Sequence, residues 1–190
     1  MNRGLEKFYE LVEAFESLPT IGKKSALRLA YHIVMNDNYC GVKLSHSIES
    51  ALKTIKRCKK CSCMSENEIC EYCLDDSRDD SKLCIVQSAK DIFIIEDSKE
   101  FDGRYFVIDE LEQSYILKLQ EYIKNSKVKN ILFAITPSIA NDAFILYIED
   151  KLKDFDIKFT KIAQGVPTGV SLENVDLLSL SKAIQSKVEI

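Results

Sequence analysis

The 190-residue sequence contains no apolar run that approaches the roughly 20 residues needed to cross a bilayer. Its first residues are amphipathic and rich in acids, unlike the basic stub and apolar core of a secretion signal. It also lacks internal repeats and low-complexity stretches. These absences predict a globular, soluble protein of the cytoplasm with no membrane partner. With 46% hydrophobic residues, the chain is long enough for one large domain or two small ones.

Cysteine is concentrated in one place, because five of the seven cysteines fall between residues 58 and 73. Cys58 and Cys61 form one Cys-x-x-Cys pair, Cys70 and Cys73 form a second, and eight residues separate the pairs. Two such pairs supply four thiolates to a tetrahedral cage, which suits Zn²⁺. A reducing compartment disfavours disulfides, and a thioredoxin-like site would need a single pair at the start of a helix. We therefore predict one structural Zn²⁺ per chain, with no open coordination position for a substrate.

The other three cysteines stand outside this ligand set. Cys63 lies two residues past Cys61 and is a competing ligand, although its spacing is poorer for a metal knuckle. Cys40 and Cys84 are expected to be small buried apolar residues.

Only the N-terminal third of the chain is basic. Lys and Arg outnumber Asp and Glu by nine to six over residues 1–57, whereas acids outnumber bases by seven to three over 58–80 and by 17 to 14 over 81–190. No acid occurs between Glu16 and Asp37, a stretch that contains Lys23, Lys24 and Arg28. A local positive face of this kind is what an anionic partner uses.

The same stretch has the pattern of two short amphipathic helices joined by "SLPTIG". The apolar residues at helical spacing are Leu5, Phe8, Val12 and Phe15 before the break, and Ala26, Ala30, Ile33 and Val34 after it. In a helix-hairpin-helix, a hairpin glycine such as Gly22 lets the backbone approach a phosphate, and the first amides of the second helix point at it. Such contacts bind the DNA backbone independently of sequence. The alternative is an ordinary helical pair with solvated lysines.

A third helix is expected to complete the small helical core and to lead into Cys58. Its predicted apolar face consists of Ile48, Ala51, Leu52 and Ile55.

After the cysteines, short β-branched and aromatic runs alternate with helix-like segments. The runs cover residues 83–87, 104–108, 130–135 and 157–163. This alternation predicts a mainly parallel sheet covered by helices, and hence an α/β fold that follows a small all-α domain. A helix over 138–153 is expected to bury Ile139, Ala143, Leu146, Tyr147 and Leu152. Residues 74–82 are the one linker-like stretch.

This ordered set of features resembles the RecR family of bacterial recombination mediators over essentially the whole chain. The matching elements are "LPTIGKKSALRLAYHIV", the doubled Cys-x-x-Cys, "SRDDSKLCIVQ" and "VPTGVSLENVDLLSLSKAI". The resemblance implies a helix-hairpin-helix domain (1–57), a four-cysteine zinc finger (58–80), a Rossmann-like, parallel-sheet Toprim domain (81–165) and a C-terminal segment (166–190). Members of the family form rings, typically homotetramers, that encircle DNA. With RecO and often RecF, they load RecA onto gapped single strands.

The resemblance also implies site residues. Those expected to contact single- and double-stranded DNA are Thr20, Gly22, Lys23, Lys24 and Arg28. Lys24 and Arg28 stand at the basic positions that the family uses on DNA, and Thr20 replaces the first glycine of the usual Gly-Ile-Gly. Asp142 keeps an acidic side chain on the surface implicated in partner contact.

The Toprim resemblance raises an alternative function, a Mg²⁺-dependent enzyme that nicks or relaxes DNA. Catalytic Toprim domains place an acid after the first strand and an Asp-x-Asp pair after a later one, where the carboxylates hold Mg²⁺. Here those positions are Gln87, and Thr136, Pro137 and Ser138. Amides and hydroxyls do not bind a hard cation with comparable charge, so we predict a non-enzymatic DNA clamp and mediator. A third interpretation is a zinc-dependent adaptor that binds only proteins.

Overall fold

Ile55 ends the first of two units in the chain, and Lys56 begins the second. The structure is a computed structural model that describes residues 4–186. Parts of two predicted regions lie outside the described residues: the first three residues of the helix-hairpin-helix domain and the last four of the C-terminal segment. Every helix within 4–186 is too short or too polar to span a membrane.

The first unit is helical, as the sequence predicts. Helix α1 spans Glu6–Glu16, and α2 spans Lys23–Tyr31 and continues through a π-helical turn at His32–Asn36. Helix α3 spans Asn38–Thr54. It begins there because the Asp37 carboxylate accepts a hydrogen bond of 2.8 Å from the Cys40 amide, which satisfies one of the free donors of the first turn.

The core of the first unit is small. Helices α1 and α2 bury Val12, Ala26 and Ala30, with partly buried Phe8, Leu11, Phe15 and Ile21 around them. The prediction that α3 completes this core is wrong, because Ile48, Leu52 and Ile55 are 52%, 80% and 42% exposed and Ala51 is exposed as well. Helical spacing predicts an apolar face, but not what covers that face.

The second unit opens with the cysteine-rich segment. Strand β1 (Lys56–Arg57) pairs antiparallel with β2 (Met64–Ser65), and a short helix, α4, spans Glu71–Leu74. Cys58 and Cys61 lie between β1 and β2, whereas Cys70 precedes α4 and Cys73 lies within it.

A parallel sheet of four strands follows, which confirms the predicted α/β fold. The strands are β3 (Asp79–Val86), β4 (Gly103–Val107), β5 (Asn130–Phe133) and β6 (Lys158–Lys161), in the order β4-β3-β5-β6. Leu83 pairs with Arg104 on one side and with Ile131 on the other. Buried β3 has the continuous apolar run typical of a parallel strand covered on both faces.

Helices connect the strands and cover the sheet. They are α5 (Ala89–Ser98), α6 (Gln113–Lys124) and α7 (Ile139–Lys151), and α8 (Leu177–Gln185) comes after a single 3₁₀ turn at Leu172–Asn174. The fully buried side chains at the centre are large, among them Tyr105, Phe106 and Phe133. The sheet is therefore the main core of this unit.

The predicted buried face of α7 is wrong in four of its five residues. The helix buries Phe144, Ile148 and Leu152, whereas Ile139 and Leu146 are 90% and 65% exposed, Ala143 is exposed and Tyr147 is only partly covered. Apolar residues lie all around this helix, so the pattern did not single out one side. The sheet packs against the side formed by Phe144, Ile148 and Leu152, which are spaced four residues apart.

Candidate metal centre and nucleic-acid interface

The four predicted ligands converge in the second unit. The Sγ atoms of Cys58, Cys61, Cys70 and Cys73 all lie within 4.8 Å of one another, and all four residues are buried. Two of the Sγ–Sγ distances are 4.0 Å, for Cys58 and Cys73, and 3.4 Å, for Cys61 and Cys70. A tetrahedral Zn²⁺ with Zn–S bonds of about 2.3 Å places its sulfur atoms about 3.8 Å apart. These residues can therefore hold a metal ion, and no other group of three or more Cys, His, Asp or Glu within 4–186 could do so.

Backbone hydrogen bonds shape the two knuckles. The Cys58 amide donates to the Cys63 carbonyl at 2.7 Å, and the Ser62 amide donates to the Cys58 carbonyl at 3.0 Å. Ser62 makes this turn in a left-handed conformation, with φ of 62°. The Cys70 amide donates to Cys58 Sγ at 3.3 Å. Such an amide–sulfur bond favours the thiolate that a metal requires.

The thiols of the cage also act on one another. A hydrogen bond from Cys61 lowers the pKa of Cys58 to about 6. The same bond, with those to the other cage sulfurs, raises the pKa of Cys61. Hydrogen bonds with Cys58 lower the pKa of Cys70 and raise that of Cys73, so a bound cation would favour the ionised form of all four thiols.

The remaining cysteines are placed differently. Cys63 is buried beside the cage but does not belong to the converging group. Cys84 is fully buried in β3, as predicted, whereas Cys40 is only partly buried in α3.

Three hydrogen bonds from the rest of the second unit hold the first knuckle in place. The Val107 amide donates to the Cys61 carbonyl at 2.9 Å. Lys118 of α6 donates to Ser62 Oγ at 2.8 Å and to the Cys58 carbonyl at 3.4 Å. Four thiolates around one divalent cation leave a net negative charge, which the Lys118 ammonium offsets. No motif in the sequence reveals Lys118, because it is 56 residues away from Ser62.

Arg78 anchors the segment that follows the cysteines. Its guanidinium donates to the Gly103 carbonyl at 2.8 Å, pairs with Glu96, and lies 5.0 and 5.5 Å from the ring centroids of Tyr72 and Tyr105. Cation–π contacts and a largely desolvated ion pair fix this side chain. The prediction of a linker over 74–82 is therefore wrong, and the second half of that stretch is already strand β3.

The turn of the helical hairpin contains the residues predicted to approach DNA. Thr20 has a positive φ of 69°, a conformation that glycine adopts readily and a β-branched residue rarely does. Gly22 has an ordinary φ of −88° and precedes α2 without a side-chain cap. A Cβ added at Gly22 would meet no heavy atom of the described chain within 4 Å. The chain's own packing therefore does not require glycine there.

The cations of α2 are available to a partner. Lys23, Lys24 and Arg28 are exposed, and none has an ion pair within the part of the chain that the structure describes. Lys23 is the first residue of α2, where the positive end of the helix dipole adds to the side-chain charge. Lys24 and Arg28 lie four residues apart and share one helix face.

One amide and two hydroxyls follow the carboxyl ends of β3 and β5, at the positions where the sequence resemblance places the acids of catalytic Toprim domains. Gln87 Nε2 donates to Asn141 Oδ1 at 2.9 Å, and Asn141 Nδ2 donates to the Thr136 carbonyl at 2.7 Å. Ser138 begins α7, and its Oγ accepts a bond of 3.1 Å from the Asn141 amide. Asn141 thus links Gln87, the Thr136 carbonyl and Ser138 in a network without a charged group.

Asp142 lies on the first turn of α7. Its carboxylate accepts a hydrogen bond of 2.9 Å from Lys161 of the edge strand β6, which lowers the pKa of Asp142. Both residues border a groove of about 360 Å³ whose lining includes exposed Leu146.

The fold and these sites define a class: a protein that joins a cation-bearing helical hairpin, a four-cysteine metal site and a parallel sheet in one chain. The family model for the RecR helix-hairpin-helix matches residues 8–52. The chain is 55% identical to "Recombination protein RecR" of a Nitratiruptor species and 52% identical to that of Campylobacter jejuni subsp. doylei, each over 190 residues and the whole of both chains. It is 47% identical to that of Helicobacter pylori (strain Shi470) over 185 residues, 97% of this chain and 96% of the relative. The chain belongs to the RecR family.

Proposed function

We propose that the protein is a DNA-binding mediator of recombination and repair in the cytoplasm. It forms a ring-like clamp on DNA and, with RecO and often RecF, promotes the loading of RecA onto gapped or single-stranded DNA. The name shared by its relatives, recombination protein RecR, supports the role in recombination.

The hairpin is the observation that carries the DNA-binding proposal. Open space around Gly22 lets a phosphate approach the first amides of α2, and Lys23, Lys24 and Arg28 stand exposed beside them. With Thr20 in the turn, all five proposed DNA contacts lie on one hairpin. The contacts are to phosphates, so binding would be independent of sequence.

One hairpin alone would bind weakly. About three phosphate contacts, each contributing roughly −0.9 to the salt slope on duplex, give a low affinity at physiological salt. A ring of two to four chains repeats these contacts, and closure around DNA adds retention that salt does not screen. The uncovered apolar face of α3 supports a homo-oligomer, because such a face is rarely left in water.

We assign Zn²⁺ to the four-cysteine site, with Cys58, Cys61, Cys70 and Cys73 as its ligands. Four converging thiolates prefer zinc, and the convergence of their sulfur atoms within 4.8 Å supports this assignment. All four coordination positions are filled by protein, so the ion would staple the fold and take no part in a reaction.

The neutral network of Gln87, Thr136 and Ser138 supports a protein without catalytic activity. The alternative is a Mg²⁺-dependent enzyme that nicks or relaxes DNA. We expect no nicking, relaxation or primer synthesis with Mg²⁺ or Mn²⁺. Turnover that disappears on changing Asp142 to Asn would overturn this assignment.

Asp142 is the proposed contact for the RecO partner. Its side chain is 46% exposed, and it borders the same groove as the apolar Leu146. Asp142→Asn should weaken RecO binding in a pull-down and leave DNA affinity at the parent value. Equal RecO binding by the variant and the parent would remove Asp142 from the interface.

The DNA-binding proposal is tested by Lys24→Ala with Arg28→Ala in the full chain. The matched control is Lys43→Ala with Lys53→Ala, which removes two charges from α3 of the same unit. We expect the first variant to bind all DNA sequences more weakly and to flatten the salt dependence by about two units. Metal content and oligomer mass should stay unchanged.

Parental binding by the α2 variant would make the hairpin an ordinary helical pair with solvated lysines. Retention of the protein on closed circular DNA, compared with linear DNA, distinguishes a ring-shaped clamp from an adaptor that binds only proteins. A ring should remain on the circle at high salt, whereas an adaptor would remain on neither.

A further inference from the structure

A second basic surface lies in the second unit, beside the cysteine cluster and the end of α6. It is a cleft of about 740 Å³. The basic side chains that line it are Lys59, Lys60, Arg104, Lys118, Lys124 and Lys127. Three acidic side chains also line it, so the cleft has a positive excess of three charges. The excess is local, because acids outnumber bases over both 58–80 and 81–190.

Two of these cations are already neutralised. Arg104 pairs with Asp80 and donates to the Tyr72 carbonyl at 2.9 Å. Lys59 pairs with Glu68 at 2.8 Å. These two side chains therefore form part of the cleft wall but add little free positive charge to it.

Of the other four cations, Lys118 offsets the negative charge of the adjacent cysteine cage, and the remaining three have no acidic partner among the described residues. Lys60, Lys124 and Lys127 are exposed, and their side chains make no hydrogen bond or ion pair within 4–186. Lys118 donates only to neutral oxygens of the first knuckle. The cleft therefore presents several uncompensated positive charges over an open surface.

This arrangement suits a chain of phosphates better than a single phosphoryl group. A single phosphate is usually held by bidentate arginine or by the amides at a helix start. Here the one arginine is occupied, and α6 ends at the cleft, so its dipole offers only a partial negative charge there. Flexible lysines act as separate point charges, which match the repeated phosphates of a nucleic-acid backbone.

We propose that this cleft is a second binding surface for the phosphate backbone of DNA, apart from the hairpin. It reads no base sequence, and Lys60, Lys124 and Lys127 are its main contacts. The proposal rests on the proposed DNA-binding function and adds a site in the other unit of the chain. Glu121, an acid in the same lining, opposes the binding.

The test compares two triple variants of the full-length chain by titrating a fluorescent oligonucleotide at several salt concentrations. One variant carries Lys60→Gln, Lys124→Gln and Lys127→Gln. The control carries Lys90→Gln, Lys99→Gln and Lys158→Gln, which removes the same charge from exposed lysines of the same unit outside the cleft. Metal content and thermal melting establish that both variants fold.

We expect the cleft variant to reduce the salt slope by about three and to weaken DNA binding for every sequence, while the control changes the slope by less than about one. Glu121→Gln should act in the opposite direction and tighten binding. Equal losses of DNA affinity in both triple variants would mean that the effect comes from net charge alone, and this result would overturn the proposal. Displacement of DNA from the parent by inorganic phosphate at matched ionic strength would also overturn it, because the cleft would then be a single-phosphate site.

The hairpin variant Lys24→Ala with Arg28→Ala is titrated in parallel, so the two proposals fail separately. If only the hairpin variant loses affinity, the cleft proposal falls and the DNA-binding function stands. If only the cleft variant does, the hairpin assignment falls and the cleft is the main DNA site. If neither loses affinity, both proposals fall.

Discussion

The two units of the chain keep their structure by different means. The second buries the apolar half of strand β3 and large side chains such as Tyr105, Phe106 and Phe133, and it adds a four-cysteine cage and a largely covered arginine, Arg78. The first buries little more than Val12, Ala26 and Ala30 between two helices and leaves the apolar face of α3 in the open. The second unit therefore has an extensive core of its own, whereas the first has a small core and an exposed apolar face on α3.

The largest expected effect lies in the second unit, at its cage. Cys70→Ser removes one proposed ligand and should lower the free energy of unfolding by more than about 5 kcal/mol, since structural zinc contributes directly to folding. Native mass spectrometry should show the loss of the metal, and thermal melting should show the loss of stability. Cys40→Ser, outside the cage, is the control and should retain the metal. A metal-free variant with full stability would rule out the structural role.

Arg78→Ala should give the next largest loss. It leaves the Glu96 carboxylate without its cationic partner, with only the Tyr105 hydroxyl still donating to it, and it removes contacts with the rings of Tyr72 and Tyr105, at a cost of about 3 kcal/mol. Urea unfolding measures the change. Lys82→Ala removes a charge from a more exposed ion pair on the adjoining strand β3 and should cost less stability than Arg78→Ala. Equal losses would mean that Arg78 is no anchor.

The first unit responds differently if α3 meets a second copy. Leu52→Ser should weaken self-association by about 2 kcal/mol for each leucine covered, visible as a lower mass at a given protein concentration. The stability of the separated chain should change little, because Leu52 is 80% exposed there. Ser50→Ala lies on the opposite face of the helix and serves as the control. An unchanged oligomer would leave the α3 face without this role.

The smallest effect is expected in the hairpin turn. Thr20→Gly relieves a left-handed conformation that costs a β-branched residue about 1–2 kcal/mol, partly offset by the greater freedom of glycine in the unfolded chain. We expect a net gain of about 0.5 kcal/mol in the free energy of unfolding. Thr20→Ala keeps a Cβ in the strained position and should not stabilise the chain. A loss of stability in the glycine variant would contradict this account of the turn.

Local patterns explain what could be predicted from the sequence. The four strands were predicted from continuous apolar runs, and the cage was predicted from the spacing of Cys58, Cys61, Cys70 and Cys73. Each of these signals is formed by residues that lie close together in the sequence. The hairpin helices follow from helical spacing and a turn with Pro19 and Gly22.

The errors arose where the outcome depends on distant parts of the chain. Helix α7 is apolar all around, so its buried side was decided by the sheet and not by its own pattern. Helix α3 has a clear apolar face whose cover is absent from the described chain. Lys118 and Arg78 reach partners that lie far away in sequence, which no spacing rule reveals.

The central claim is that a zinc-stapled subunit assembles into a ring that holds DNA. Native mass spectrometry of the full-length protein, with and without DNA, measures metal, copy number and DNA in one experiment. The account predicts one Zn²⁺ per chain, an assembly of two to four chains, and a mass increase by one DNA molecule per assembly. A metal-free monomer whose mass DNA does not change would contradict it.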